Sequence, residues 1–223
     1  MEYKKVMPIF KYIGGKTWLK NHLRKSFEAV LTNKKNIDTY VEPFAGGLGA
    51  FLSVYDTLLK MGVKNIVIND INKKLIDFYE VVNNKSEELI VEYLSLELDF
   101  EKTIPENARQ LNISKHKDQL KPLMSKADDF YKSIRSKFNN EKDAIKSSAY
   151  LLFLQKHCFN GIYRENSKGE YNTPFNWEPK VFTNDDVKER IIDLKGVFSK
   201  FNMIFSSQSF ELLDYNKNTI YYL

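Results

Sequence analysis

The 223-residue sequence is poor in cysteine and histidine, the residues on which disulfide-linked and zinc-binding proteins depend. Its one cysteine, Cys158, cannot form a disulfide within the chain. The histidines, His22, His116 and His157, stand at no metal-ligand spacing from one another or from the cysteine, so a zinc site has little support. Since neither a signal peptide nor an apolar run of membrane-spanning length is visible, we expect a cytoplasmic protein that does not enter the membrane.

The composition is that of a globular protein with a modest basic excess. Hydrophobic residues make up 43% of the chain, enough for the core of one large domain or of a domain with an insertion. The 34 Lys and Arg exceed the 29 Asp and Glu, and residues 101–168 alone hold 14 basic against 8 acidic residues. This local excess permits a polyanionic partner but does not require one.

Strands and helices alternate in the first 85 residues. Residues 39–44, interrupted by Pro43, and residues 65–68 are short apolar runs typical of buried strands, and each precedes a stretch with helical spacing of its apolar residues. A helix is also predicted after residue 185, with further strands at 201–206 and 219–223. The pattern predicts an α/β fold with a mostly parallel sheet.

The middle of the chain has a different pattern. Residues 86–158 are long, polar and mostly helical, with interruptions at Pro105 and Pro122, and they indicate an inserted helical subdomain. Residues 159–175, "FNGIYRENSKGEYNTPF", alternate aromatic and polar residues around a turn at Ser167, Lys168 and Gly169, which predicts a hairpin-like loop.

Two glycine motifs could approach a ligand. "YIGGK", residues 12–16, opens a helix, whose N-terminus favours an anion, although an ordinary turn is an alternative. "EPFAGGLGAF", residues 42–51, joins a strand to a helix, and its glycines would leave room for a nucleotide-like ligand at the carboxyl end of the strand. Close packing of helix on strand is the alternative for these glycines.

Asp70 follows the second predicted strand, 24 positions after Gly46. A carboxylate at this place can accept hydrogen bonds from both ribose hydroxyls of a nucleoside. An aspartate that caps the next helix is the alternative. Together with the glycine loop, Asp70 favours nucleoside binding.

The predicted hairpin contains side chains suited to DNA. Arg164 and Lys168 could contact phosphate or guanine, Asn160 and Asn172 an adenine edge, and Tyr163 could stack on a base. The same composition also occurs in surface hairpins that bind nothing.

In this order, the motifs resemble those of the DNA adenine-N6 methyltransferases of the Dam family, the D12 class, over almost the whole chain. "KYIGGK", "VEPFAGG" and "NDIN" are similar to the family's amino-terminal cofactor motif, central glycine motif and ribose-binding motif. "FYKSIRSKFN", "AYLLFLQKHCFNGIYRENSKGEYNTPF" and "IFSSQSF" are similar to its helical recognition region, hairpin and next strand.

The resemblance implies a class I S-adenosylmethionine-dependent, Rossmann-like methyltransferase fold, incomplete at its C-terminus. Residues 1–85 and 177–223 would form the cofactor-binding core, and residues 86–176 the helical and hairpin DNA-recognition subdomain. The reaction implied is methyl transfer from S-adenosylmethionine to N6 of adenine in double-stranded DNA after base flipping. Restriction and modification, a phage function, and replication or repair stay open as biological roles, with GATC as the default target.

The resemblance also implies roles for individual residues. Cofactor binding would involve Tyr12, Lys16, Phe44, Gly46, Gly47 and Asp70. DNA binding would involve Asn160, Tyr163, Arg164, Lys168 and Asn172.

The family's catalytic Asp-Pro-Pro-Tyr element has no counterpart in the sequence. "NTPF", residues 172–175, lacks the second proline and belongs to the hairpin, so we reject it as the catalytic motif. "IYYL" is similar to the strand that leads into the catalytic element, which we expect just beyond Leu223. The alternatives are a non-catalytic nucleic-acid-binding module, a split-enzyme subunit completed by a second chain, and an unrelated nucleoside-binding enzyme.

Overall fold

The computed structural model of the chain describes residues 6–10, 12, 19–33, 36–109, 117–177, 183–213 and 218–223. These residues belong to two compact units, one formed by Met1–Ser86 with Glu189–Leu223 and the other by Glu87–Lys188.

The first unit is built on a parallel sheet. Within the described residues its strands are β1 (Thr39–Glu42), β2 (Asn65–Asn69), β3 (Asn202–Ser206) and β4 (Thr219–Tyr221), in the order β3-β2-β1-β4. Val41 lies opposite Val67 on one side and Tyr221 on the other. The predicted α/β class with a parallel sheet is therefore confirmed.

The strand order places a ligand-binding position at the end of β1. The chain adds β2 and β3 on one side of β1 and then β4 on its other side, so the winding reverses at β1. In open α/β sheets, ligands bind in the crevice at this reversal, beyond the carboxyl ends of the strands. The loop after β1 contains the glycine motif.

The helices of the first unit are α1 (Lys20–Asn33), α2 (Gly49–Lys60), α3 (Lys73–Asn84) and the second half of α9 (Asn184–Phe198). Residues Gly49 to Leu58 of α2 are buried throughout, including the polar residues Ser53, Asp56 and Thr57. The core next to it is aromatic: the ring of Phe51 lies 6.0 Å from that of Tyr40 and 6.4 Å from that of Phe198.

The second unit is helical, as its polar pattern predicts. It contains most of α4 (Ser86–Glu101), together with α5 (Glu106–Arg109), α6 (Lys117–Leu123), α7 (Ser125–Asn140), α8 (Ala144–His157) and the start of α9. In α7 the buried residues are Ala127, Tyr131, Ile134 and Phe138, spaced as one face of a helix. Pro122 lies inside α6, one residue before this helix ends.

The chain returns to the first unit within α9. Residue 177 is the predicted point of return, whereas Glu189 begins the corresponding segment of the structure. The first residue of α9 stays with the second unit because Asn184 accepts hydrogen bonds from Tyr93 and Lys156. The assignment of the two parts to cofactor and DNA remains a prediction.

Candidate functional site

The glycine loop runs from Pro43 to Leu48. The predicted strand includes Phe44, but β1 ends at Glu42 because Pro43 begins a turn. The backbone has positive φ at Gly46 (47°) and at Leu48 (60°). Leu48 is buried, and a non-glycine residue in this conformation marks a backbone that its surroundings hold in place.

Tyr12 packs on the two central glycines of the loop. A Cβ added to Gly46 would lie 3.0 Å from Tyr12 Cδ1, and one added to Gly47 would lie 3.0 Å from Tyr12 Cβ and 3.3 Å from the carbonyl oxygen of Phe10. The missing side chains therefore make room for Tyr12. The structure brings together three residues that the sequence predicts for the cofactor, and the atoms nearest to the two glycines belong to Tyr12 and Phe10, not to a helix packed on a strand.

Asp70 lies at the carboxyl end of β2 and is joined to the glycine loop. Its Oδ2 accepts a hydrogen bond from the Gly46 N–H at 2.9 Å, and its Oδ1 accepts one from the Asn72 N–H at 2.9 Å. The cap of α3 is Asn72, whose side chain accepts from the Leu75 N–H, so the interpretation of Asp70 as the helix cap is wrong. Because each carboxylate oxygen has two lone pairs, half-buried Asp70 can still accept from a ligand.

Asn69 fixes the loops around this site. Its buried side-chain amide donates to the carbonyl oxygens of Pro43 (3.0 Å) and Gln208 (3.1 Å), and its Oδ1 accepts from the Gln208 N–H (3.2 Å). The ends of β1 and β2 and the segment after β3 are thus held together through one side chain. Sequence reasoning did not assign this role, because it depends on residues 139 positions apart.

Two exposed phenylalanines lie beside each other in the same unit. Phe44, predicted for the cofactor, is 57% exposed, and its ring centroid lies 5.2 Å from that of Phe210, which is 42% exposed. Ile71, directly after Asp70, is 76% exposed. Sequence reasoning missed Phe210 and Ile71, although the motif "IFSSQSF" contains Phe210.

Glu42 is a buried acid at the end of β1. Its Oε2 accepts from the Tyr40 hydroxyl (2.7 Å) and from the Phe51 N–H (3.0 Å) in the first turn of α2. Burial raises the pKa of Glu42 to about 8, although these two hydrogen bonds oppose the shift. The carboxyl group therefore connects β1 to α2 and is largely protonated at neutral pH.

Tyr79 is hydrogen-bonded to the glycine loop. Its hydroxyl donates to the carbonyl oxygen of Gly46 at 2.5 Å, and burial raises its pKa well above the usual value. Lys16, the remaining predicted cofactor residue, lies outside the described residues, as do Gly14 and Gly15.

The predicted hairpin forms in the second unit. Bridges pair Cys158 with Phe175 and Glu165 with Tyr171 in antiparallel fashion, and the turn lies at residues 167–169, where the predicted turn is. Gly169 adopts φ 76°, and Asn166 Oδ1 accepts from the N–H groups of Lys168 and Glu170 at 2.9 and 3.0 Å. The tip is an ordered turn with Lys168 exposed.

Helix α7 anchors the hairpin. Asn139 exchanges two hydrogen bonds with the backbone of Tyr171, at 2.9 and 3.2 Å, in the manner of a neighbouring strand. The Tyr131 hydroxyl donates to the Thr173 carbonyl oxygen at 2.9 Å, and Phe175 is buried. Residues 173–175 of "NTPF" are thus part of the hairpin's attachment to the helices.

Arg164 and Asn172, both predicted for DNA, bind each other. Arg164 Nε donates to Asn172 Oδ1 at 2.8 Å, and its Nη2 donates to the Asn172 carbonyl oxygen at 3.3 Å. These bonds use two of the five guanidinium N–H donors and orient the planar group. Arg164 is exposed, so its remaining donors can reach a phosphate or a base edge.

The other predicted DNA residues lie at the base and on one strand of the hairpin. Asn160 is exposed at φ 57°, and the Tyr163 hydroxyl donates to Glu165 at 2.5 Å. Phe159, which sequence reasoning missed, is 52% exposed in the one-turn 3₁₀ helix Phe159–Gly161. Exposed Phe159, next to Asn160 in the chain, adds an apolar surface to this part of the second unit.

The described part of the chain contains neither a cluster of metal ligands nor a membrane-spanning helix. No three His, Cys, Asp or Glu side chains there are grouped as metal ligands, and no helix there has the length and apolar character needed to cross a membrane.

Comparison with known proteins identifies similar sequences. The family model for "D12 class N6 adenine-specific DNA methyltransferase" matches residues 12–223. The Type II methyltransferase M.MjaIII of Methanocaldococcus jannaschii is 35% identical over 197 residues, which cover 86% of this chain and 60% of that protein. The DNA adenine methylase of Serratia marcescens is 27% identical over 77% of this chain and 50% of its own length. That of Haemophilus influenzae is 26% identical over 81% of this chain and 51% of its own length. The chain thus spans between half and three-fifths of these relatives.

Proposed function

The chain belongs to the family of D12 class N6 adenine-specific DNA methyltransferases, and we propose that it supplies the cofactor-binding and DNA-binding surfaces for methylation of adenine N6. The main support is the hydrogen bond between Asp70 and Gly46, because it joins an acidic residue to a glycine loop where the winding of the sheet reverses.

The groups around Asp70 have the chemistry that S-adenosylmethionine requires. The carboxylate would accept hydrogen bonds from the two ribose hydroxyls, and the exposed faces of Phe44 and Phe210 offer an aromatic surface on which the adenine ring would stack. Tyr12 and the loop at Gly46 and Gly47 line the methionine end, with Lys16 assigned there by its motif alone. When bound, S-adenosylmethionine supplies the electrophilic methyl group on its sulfonium.

The hairpin and its supporting helices form the DNA surface. Arg164, Lys168 and Asn160 are exposed and polar, which suits contacts to phosphates and base edges. Phe159 and Tyr163 add aromatic surface that can stack on an unpaired base. Double-stranded DNA is accordingly the proposed partner.

Methyl transfer to N6 requires the adenine to leave the base stack, because the amino group is inaccessible within a duplex. It also requires an acceptor for the proton that N6 releases. The family's Asp-Pro-Pro-Tyr element would supply this acceptor, and the printed sequence does not contain it. We therefore expect these 223 residues alone to bind both ligands without transferring methyl groups.

Two titrations on the 223-residue protein test the proposal. Calorimetry with S-adenosylmethionine should show one binding site, and fluorescence anisotropy with a 30-base-pair duplex should show salt-dependent DNA binding. Transfer of a tritiated methyl group to the duplex by this chain alone would contradict the expected inactivity, while the absence of cofactor binding would reject the central proposal.

A further inference from the structure

A buried cluster of charges lies in the second unit. Glu97 of α4 is 1% exposed, and its carboxylate accepts from Lys156 Nζ at 2.9 Å and contacts His157 Nε2 at 2.9 and 3.2 Å. Lys156 and His157 are the last two residues of α8, and their side chains are only 10% and 15% exposed. One carboxylate therefore holds the end of α8.

The cluster is enclosed by aromatic rings and a third helix. The His157 ring centroid lies 4.3 Å from that of Phe100 and 4.6 Å from that of Phe153. Lys156 also binds Asn184 at the start of α9, where the Tyr93 hydroxyl donates to the same amide oxygen at 3.1 Å. The cluster thus joins α4, α8 and α9.

The charges in this cluster support one another. Burial by itself raises the pKa of Glu97, but the hydrogen bond and charge of His157 and the charge of Lys156 outweigh burial and hold the pKa below its usual value. The carboxylate is thus ionised at neutral pH. Buried ion pairs often stabilise a protein no more than apolar residues of the same size would. What the ion pairs of Glu97 add is a fixed position for the side chains of Lys156 and His157.

The end of α8 leads directly into the DNA-facing turn. The carbonyl oxygen of His157 accepts from the Asn176 N–H at 2.8 Å, and the Phe159 N–H donates to the carbonyl oxygen of Pro174 at 2.9 Å. Asn160 and Gly161 follow with φ of 57° and 67°. The position of His157 therefore sets where the Phe159–Gly161 turn begins and how it meets the second strand of the hairpin.

We propose that Glu97 is a positioning residue for the DNA surface: through Lys156 and His157 it fixes the end of α8 and, with it, the Phe159–Gly161 turn. Glu97 itself does not touch DNA. The link to DNA rests on the proposed function, whereas the effect on the turn can be measured in the protein alone.

Hydrogen–deuterium exchange on Glu97→Gln measures the effect on the turn. Glutamine keeps the size of the side chain but removes the negative charge that Lys156 and His157 contact. Exchange at the amides of Phe159 and Asn176 should become at least about tenfold faster, while the amides of Tyr131 to Phe138 in α7 keep their protection. Asp99→Asn is the matched control, because Asp99 lies on the same helix with its side chain 57% exposed.

A double variant separates positioning through the ion cluster from simple filling of space. Lys156→Gln alone should accelerate the same amides, and in the double variant with Glu97→Gln the acceleration should be smaller than the two single effects combined, since each single variant already breaks the Glu97–Lys156 pair. Independent, additive effects would overturn the role of the pairing. If Glu97→Gln does not fold, the Lys156→Gln variant gives the test, and unchanged exchange there would also overturn the inference.

DNA affinity supplies the second measurement, by anisotropy with a 30-base-pair duplex containing GATC. Glu97→Gln should bind about tenfold more weakly than Asp99→Asn, with unchanged affinity for S-adenosylmethionine. Faster exchange at the turn with undiminished DNA affinity would overturn the link to DNA. Failure of the unmodified protein to bind any duplex would reject the proposed DNA surface, while the exchange result would still decide the positioning role.

Discussion

Replacement of Asp70 by alanine should weaken S-adenosylmethionine binding strongly. The proposed ribose contacts are two hydrogen bonds to a charged acceptor, each of which contributes about 1.5–3 kcal/mol. Their loss, at the lower end of this range, corresponds to about 3 kcal/mol, or a Kd raised on the order of 150-fold. The substitution also removes the acceptor for the N–H groups of Gly46 and Asn72, which loosens the glycine loop.

The Asp70→Asn variant tests the same site more finely. An amide offers one acceptor oxygen, so it cannot accept from both Gly46 and Asn72 as the carboxylate does. We expect an intermediate loss of affinity. Asp77→Asn is the matched control, because Asp77 lies on α3 and binds Lys73 on the surface.

Isothermal titration calorimetry with S-adenosylmethionine is the assay, and DNA anisotropy is the parallel measurement. A Kd for Asp70→Ala within about twofold of the unmodified protein would refute the ribose-binding role. Equal losses of cofactor and DNA binding would point to misfolding of the variant instead.

Three further predictions concern the hairpin and the core. Arg164→Ala should weaken duplex binding about tenfold and lower the slope of log Kd against log salt concentration by about 1. Its affinity for the cofactor should not change. An unaltered slope would show that Arg164 does not contact a phosphate. Phe159→Ser should weaken binding without changing that slope, since its contact is apolar; a changed slope would contradict a stacking role. The pKa of Glu42 is raised in the folded state, so its contribution to the free energy of unfolding is full below about pH 4.5. This contribution is lost as the pH rises toward 8, by up to about 1.4 kcal/mol per pH unit. The Glu42→Gln variant keeps an acceptor for Tyr40 and Phe51. Its unfolding free energy, measured by urea titration at pH 5 to 8, should therefore not fall with pH in this way. An equal fall in the variant and the unmodified protein would show that Glu42 is not the responsible group.

The sheet could be predicted from the sequence because its strands are short apolar runs, although the strands predicted to end at Phe44 and Leu223 end at Glu42 and Tyr221. The order of motifs also indicated the strand-to-helix loop at Gly46 and the acid at Asp70, which the structure joins by a hydrogen bond. Local patterns of this kind depend on residues close together in the chain.

Contacts between distant residues could not be predicted in the same way. Phe44 and Phe210 form a pair from opposite ends of the chain, and Glu97 meets His157 across 60 positions. The polar, mostly helical character of residues 86–158 assigned Glu97 to a helix but could not show that its carboxylate is buried. The turn at Leu48 also could not be predicted, since leucine rarely adopts positive φ and nothing in the sequence marks the exception.

Photo-crosslinking of tritiated S-adenosylmethionine, followed by peptide mapping, tests the central claim most directly. Ultraviolet light attaches a bound ligand to the residues that touch it, and Tyr12, Phe44 and Phe210 are the proposed contacts of the cofactor. The label should appear on peptides that contain these residues and should disappear in Asp70→Ala. Labelling confined to residues 87–188, or labelling that Asp70→Ala leaves unchanged, would contradict the proposed cofactor site.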